Sequence, residues 1–279
     1  MQNPYESDIR AILAKRSDNG ADLWATPDGR LLKGSPFTTL ESACMLAELG
    51  MDPAEPVLRE TAGLILGAWR GDGRFRLYPQ GAVYPCHTIN AVRTLCRLGY
   101  AADERVRASF AHLLDIQHAD GGWRCNKFSF GRGPETEFSN PGPTLAALDA
   151  FRFANLPNAG EPLDRAVGFL LAHWTTRAPL GPCHYGIGTR FMQVAYPFSN
   201  YNLFFYVYVL SFYERARADE RFHEAFRALE AKLVDGMVVV ERPNSKLASF
   251  SFCKKGMPSE LATRRYLEIT ANLRGTPRQ

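Results

Sequence analysis

Apolar residues recur three and four positions apart along most of this chain, the spacing of helices that bury one face. Ile9, Ile12 and Leu13 predict a first short helix over residues 7–15. Thr38 and Glu41 form a capping box for a second helix that ends at Leu49, with Gly50 as its stop. Leu58, Ala62, Leu66 and Trp69 mark a third over residues 55–69. Val92, Leu95, Cys96 and Leu98 line one member of the next pair, and Val106, Phe110, Leu113 and Leu114 line the other. Leu145, Leu148 and Phe151, then Val167, Leu170, Leu171 and Trp174, give a third pair. Residues 201–214 are apolar on most sides, as a fully buried helix must be, whereas Phe222, Phe226 and Leu229 belong to an amphipathic partner. The pattern breaks only over residues 237–252, where Val238-Val239-Val240 and the run 247–252 predict a small strand hairpin around Arg242-Pro243-Asn244-Ser245. A last helix is expected over residues 258–273.

These pairs are copies of one unit. Thr39 to Gly50 reads TLESACMLAELG and Thr88 to Gly99 reads TINAVRTLCRLG, an offset of 49 at both ends. Asp72-Gly73-Arg74-Phe75 precedes Asp120-Gly121-Gly122-Trp123 by 48 positions, with an aromatic in the same slot. Thr144 starts a third copy, its longer spacing absorbed by the loop 124–143, and weaker copies follow at Asn202 and near Ala262. The turns Asn19-Gly20 and Asp28-Gly29 surround Trp24 in the same manner. The expected class is therefore all-α: about five helical hairpins in one repeat domain over residues 1–279, with a small β-hairpin near the C-terminus.

The string Gln117-His118-Ala119-Asp120-Gly121-Gly122-Trp123 carries a further signal. It resembles the repeat signature of squalene and oxidosqualene cyclases and of protein prenyltransferase β subunits, in which Gln and Trp tie one helical hairpin to the next. The resemblance implies an α/α toroid, with inner helices ringed by outer ones and one end open to a large apolar, commonly isoprenoid, substrate. About five pairs, one fewer than that family's usual six, leave the closure of the ring open.

Composition narrows the partners. A net charge of +4 with scattered basic residues, Lys254-Lys255 and Arg264-Arg265 being the densest pairs, gives no nucleic-acid footprint. The most apolar run, residues 203–212, is about half the ~20 residues of a membrane-spanning helix, so no transmembrane segment is expected. The polar, acid-containing N-terminus is unlike a secretory signal, and the expected location is the cytoplasm. Six cysteines then read as thiols or metal ligands, not as a disulfide framework.

The chemistry that the resemblance implies is incomplete. Class II cyclases protonate an alkene with a D-x-D-D aspartate, and class I synthases hold magnesium and diphosphate with D-D-x-x-D; neither string occurs. Cys44 and Cys96 fall on helical faces and read as inert core thiols. Cys86, Cys125, Cys183 and Cys253 fall in loops near helix starts, where a toroid gathers them at one end. Together they are candidate zinc ligands, as a closed structural site or, with His87 or His184 replacing one thiolate, an open catalytic one; four unrelated loop cysteines are the other reading. His87, His184, Glu135 and Glu137 are the candidate acids and bases. Arg132, Tyr196, Phe198, Tyr201 and Phe205 are the candidate substrate contacts, against the alternatives of solvated loop charge and core packing. Two functions follow: a cyclase- or prenyltransferase-like enzyme acting on an apolar or isoprenoid molecule with a thiolate-bound zinc, or a non-catalytic toroid that binds a lipid or a protein partner.

Overall fold

The computed structural model describes residues 3–125, 130–156 and 159–275. It is helical, with eleven α-helices and one short hairpin of strands among the described residues. Residues 126–129, within the loop 124–143 that lengthens the third repeat, lie outside the described residues. The chain comprises two compact units: Met1–Ile116 with Phe153–Asn155, and Gln117–Arg152 with Leu156–Gln279.

In the first unit, α1 (Glu6–Leu13) packs on α2 (Thr39–Glu48), α2 packs on α4 (Pro85–Arg97), and α3 (Pro56–Gly67) and α5 (Glu104–Asp115) lie against that pair. Thr38 caps α2 by accepting the Glu41 N–H at 3.1 Å, and the Glu41 carboxylate accepts the Thr38 hydroxyl at 2.9 Å, so the expected box is closed through side chains. In the second unit, α6 (Pro141–Phe151) and α8 (Leu203–Leu210) are buried on most sides; α8 is apolar throughout, and the one charge of α6, Asp149, is paired with Arg152 at 2.8 Å. The amphipathic α7 (Gly160–Thr176) and α10 (Glu220–Glu230) cover them, the short α9 (Glu214–Arg217) links to both, and α11 (Glu260–Leu273) packs on α8.

The repeat has a hydrogen-bond signature that recurs in each unit. The Phe75 N–H donates to the Thr88 hydroxyl at 3.1 Å, and the Trp123 N–H donates to the Thr144 hydroxyl at 3.1 Å. The aligned threonines thus hold the backbone of the aromatic residue that precedes each buried helix. Gln117 lies just beyond α5, not on its last turn, and its amide donates to the carbonyls of Gly121 and Pro162 at 2.6 and 2.7 Å. Arg165 of α7 donates to its oxygen at 2.9 Å, so one side chain fastens the Gly-Gly turn to the following outer helix. Asp120 completes the joint by accepting from the Ser139 N–H and hydroxyl at 2.7 and 2.6 Å. Asp103-Glu104-Arg105 and Asp219-Glu220-Arg221 repeat a second device, an N-cap aspartate that accepts both the amide and the guanidinium of the arginine two residues on.

The strand hairpin forms earlier than the apolar runs suggest. β1 (Leu233–Val234) pairs antiparallel with β2 (Met237–Val238). Asp235 and Gly236, both at positive φ (50° and 75°), make the two-residue turn between them. Residues 247–252, expected as a strand, instead form tight 3-10 turns at Ser245–Leu247 and Ser251–Cys253. The last helix starts at Glu260, with the Ser259 hydroxyl accepting the Ala262 N–H at 3.2 Å as its cap.

Candidate functional site

Three sequence candidates of the second unit, Glu135, Cys183 and His184, meet where the loop 130–140 runs into α6. Asn140, wholly buried, fixes that junction: its N–H donates to the Trp123 carbonyl at 3.0 Å and its side-chain oxygen accepts the Cys183 N–H at 2.9 Å. The turn 180–185 is closed by paired bonds between Leu180 and Tyr185. Gly181 must be glycine there, since at φ +76° a Cβ would stand 2.5 Å from the Asn140 oxygen. His184, also at positive φ (58°), is turned towards the loop. The Phe130 N–H donates to the Pro182 carbonyl at 2.6 Å and the Gly181 N–H to the Glu135 carbonyl at 2.9 Å, so loop and turn are stitched together.

The result is an imidazole facing a carboxylate. His184 Nδ1 stands 4.0 Å from Glu135 Oε1, with the histidine side chain 47% exposed. Glu135 Oε1 accepts the Gly133 and Arg132 N–H groups at 3.0 and 3.1 Å. The amide bond from Gly133, followed by that from Arg132 and the charge of His184, holds the Glu135 carboxyl below its ordinary pKa. Glu135 is therefore an ionised carboxylate near neutral pH. Such a group orients an imidazole, but it does not protonate an alkene. Glu137 is solvent-facing (78% exposed) and pairs with Arg124 at 3.5 Å; Arg132 is exposed beside it.

Behind the turn lies the aromatic interior. Tyr185 meets the Tyr201 ring edge-on at 5.7 Å, and Tyr201 contacts Phe191 and Tyr206. His173 of α7, absent from the sequence candidates, sits against Tyr201 with Nδ1 2.9 Å from the hydroxyl and Nε2 2.9 Å from the Ala178 carbonyl. A carbonyl only accepts, so Nε2 carries the proton and Nδ1 accepts the Tyr201 O–H. Burial lowers the His173 pKa, consistent with that neutral tautomer, and pushes the Tyr201 phenol well above its ordinary value. No sequence spacing marks this pair, because a single histidine on an apolar helix reads as core. Tyr196, Phe198 and Phe205 are buried and pack ring on ring with Phe204, Tyr208 and Phe252, so these three expected substrate contacts form core. Tyr201 is half-buried.

The cysteines require a correction. Among the described residues no group of three or more His, Cys, Asp or Glu side chains is placed to hold a metal ion, so Cys86, Cys125, Cys183 and Cys253 do not form the expected thiolate cluster. Cys253 is wholly buried, and its thiol donates to the Leu247 carbonyl at 3.6 Å; a donating thiol is protonated, whereas zinc binds the thiolate. Cys125 is buried behind Trp123, and Cys183 is half-buried on the turn. Cys86 and His87 belong to the other unit, in the first turn of α4. There His87 is 8% exposed, between the rings of Tyr78 and Tyr84 at 5.4 and 4.9 Å, with a pKa lowered by burial to about 4. It is a neutral core histidine. Cys44, expected in the core, is half-buried with its sulfur 3.3 Å from the Thr94 hydroxyl, and Cys96 is buried.

No family model and no curated protein matches the chain. Among solved structures it is similar to the ent-copalyl diphosphate synthase from Streptomyces platensis, with a TM-score of 0.50 and 15% identity over 99% of this chain. It spans 47% of that structure, about half its length. At this identity the likeness concerns the fold, not the chemistry. No helix among the described residues is long and apolar enough to cross a membrane. The chain has, in coarse outline, a helical terpenoid-cyclase-like fold.

Proposed function

We propose that the protein is an enzyme of the terpenoid-cyclase fold that carries out acid–base chemistry on an apolar, isoprenoid-class molecule. The observation that carries this reading is the His184–Glu135 pair, an imidazole held against an ionised carboxylate at the edge of an aromatic interior. The carboxylate favours a proton on Nδ1 and leaves Nε2 to take or give one. An imidazole is a base matched to protons acidified by a neighbouring carbonyl, not to the bare alkene that D-x-D-D carboxyls protonate. A conjugated isoprenoid aldehyde is a substrate of the matching kind: His184 takes a γ proton, its half-exposed imidazole exchanges that proton with water, and it gives one back at the α carbon, shifting the double bond. The class of substrate is supported by the fold likeness to a synthase of ent-copalyl diphosphate. No step is routed through a metal.

A second reading, a toroid that binds a lipid without turnover, takes the half-buried Tyr201 behind the 180–185 turn as a contact for an apolar ligand and the exposed His184 as a loop residue. Incubation with farnesal, farnesol, squalene and farnesyl diphosphate, followed by product analysis, separates the two. An isomerised aldehyde supports the enzyme; stoichiometric binding with every compound recovered unchanged supports the binder. Cyclised hydrocarbon from squalene would contradict the assignment of Glu135 as an ionised, orienting group, and cyclised hydrocarbon from farnesyl diphosphate would contradict the acid–base reading.

A further inference from the structure

Positive charge is segregated along this chain. Residues 165–213 and 242–259 contain seven Lys and Arg and no Asp or Glu, although the whole chain is only +4; the remainder is therefore net −3. In the second unit these two acid-free stretches are joined. The Glu241 and Arg242 N–H groups both donate to the Val194 carbonyl at 3.0 Å, and the Arg242 guanidinium donates to the Arg190 carbonyl at 3.3 Å. The Gly256 N–H donates to the Val240 carbonyl at 2.8 Å and the Val240 N–H to the Met257 carbonyl at 3.3 Å, so the 254–257 turn lies beside the same segment. The Cys253 thiol on Leu247 brings the Lys246 segment to that turn.

The turn itself is unusual in what it exposes. The Met257 N–H donates to the Lys254 carbonyl at 3.2 Å, with Gly256 at φ +73°, which presents Lys254 and Lys255 to solvent. Met257, next to them, is 49% exposed. Lys246 and Arg190 are also exposed. Of the neighbouring carboxylates, Glu241 is engaged by Lys232 at 3.0 Å and by the Val194 N–H at 2.6 Å, and Glu260 is exposed on the first turn of α11.

We propose that this surface docks the protein on an anionic lipid bilayer, with Lys254 and Lys255 at the headgroups and Met257 inserted between them. Charge complementarity selects an anionic partner. The unbranched, apolar Met257 at the tip favours a bilayer over a nucleic acid, because the aromatics of this segment, Phe250 and Phe252, are buried and offer no stacking face. The proposal stands on charge and exposure and does not depend on the substrate reading.

Vesicle co-sedimentation tests it, with phosphatidylcholine vesicles against vesicles that also contain phosphatidylserine. The protein should pellet with the second and not the first, and release as salt rises. Each lysine near an anionic surface is worth about fivefold in affinity, so Lys254→Gln with Lys255→Gln should weaken binding roughly 25-fold. Lys246→Gln should weaken it severalfold, and Met257→Ser likewise. Equal binding to both vesicles, binding to neither, or competition by a DNA duplex that displaces the anionic vesicles would each overturn the proposal. Lys246→Gln provides a second, independent variant if the double substitution disturbs folding.

Discussion

Replacing Gly121 with alanine tests the joint on which the repeat is built. Gly121 has φ +93°, and a Cβ there would stand 2.6 Å from the Arg165 carbonyl oxygen and 2.7 Å from its carbon. The left-handed backbone costs an alanine about 1–2 kcal/mol. The clash is with the backbone of α7, which moves only by shifting the helix that Gln117 fastens through Pro162; overpacking of this kind costs a further ~1–3 kcal/mol. The sum, roughly 2–5 kcal/mol, is a large fraction of the ~5–15 kcal/mol that stabilises a typical domain. Gly168, in the middle of α7 with nothing within 4 Å of its added Cβ, is the matched control. Gly168→Ala should stabilise by about 0.5–1 kcal/mol, since alanine loses less entropy in a helix. Urea unfolding followed by circular dichroism measures both. A Gly121→Ala midpoint equal to that of the unmodified protein would refute the argument that this turn and α7 form one rigid joint.

Thr144→Val removes the acceptor of the buried Trp123 N–H and should cost about 1–3 kcal/mol in the same assay, and Thr88→Val should do the same through Phe75. His87 has a folded pKa of about 4 against about 6.5 unfolded, so the unfolded chain takes up the proton first; the stability this confers is complete above the unfolded value and is lost as pH falls through the folded one, by at most ~3 kcal/mol. Urea midpoints at neutral and acidic pH should show that loss, and His87→Gln should shrink it; an unchanged pH dependence in the variant would show that His87 is not the titrating group. Elemental analysis of protein purified without chelators should find less than one equivalent of zinc. One full equivalent that disappears in Cys183→Ser would restore the four-cysteine centre.

The helical architecture is legible because its signals are local. The Thr39, Thr88 and Thr144 register and the glycines before Phe75 and Trp123 can be read in one pass, and the hydrogen bonds from those two aromatics show why they recur. The strand hairpin is misplaced because the β-branched run at 238–240 draws attention from Asp235-Gly236, the two-residue turn that sets the register. The candidate site is only partly legible. His184 and Glu135 are separable as candidates, but their juxtaposition depends on Asn140 holding the 180–185 turn and on His184 adopting a positive φ. The cysteines fail for a related reason: a loop position near a helix start does not fix where a thiol points, and Cys253 is directed inward by its 3-10 turn.

The central claim, that His184 moves a proton on an isoprenoid, is tested most directly by solvent isotope exchange. Farnesal incubated with the protein in deuterium oxide should return an isomer carrying solvent deuterium at the carbon that receives the proton. His184→Gln should abolish the label while leaving the thermal melt unchanged, because this side chain is half-exposed and outside the core. Farnesal recovered unlabelled from the unmodified protein, or labelled equally by the His184→Gln variant, would contradict the account.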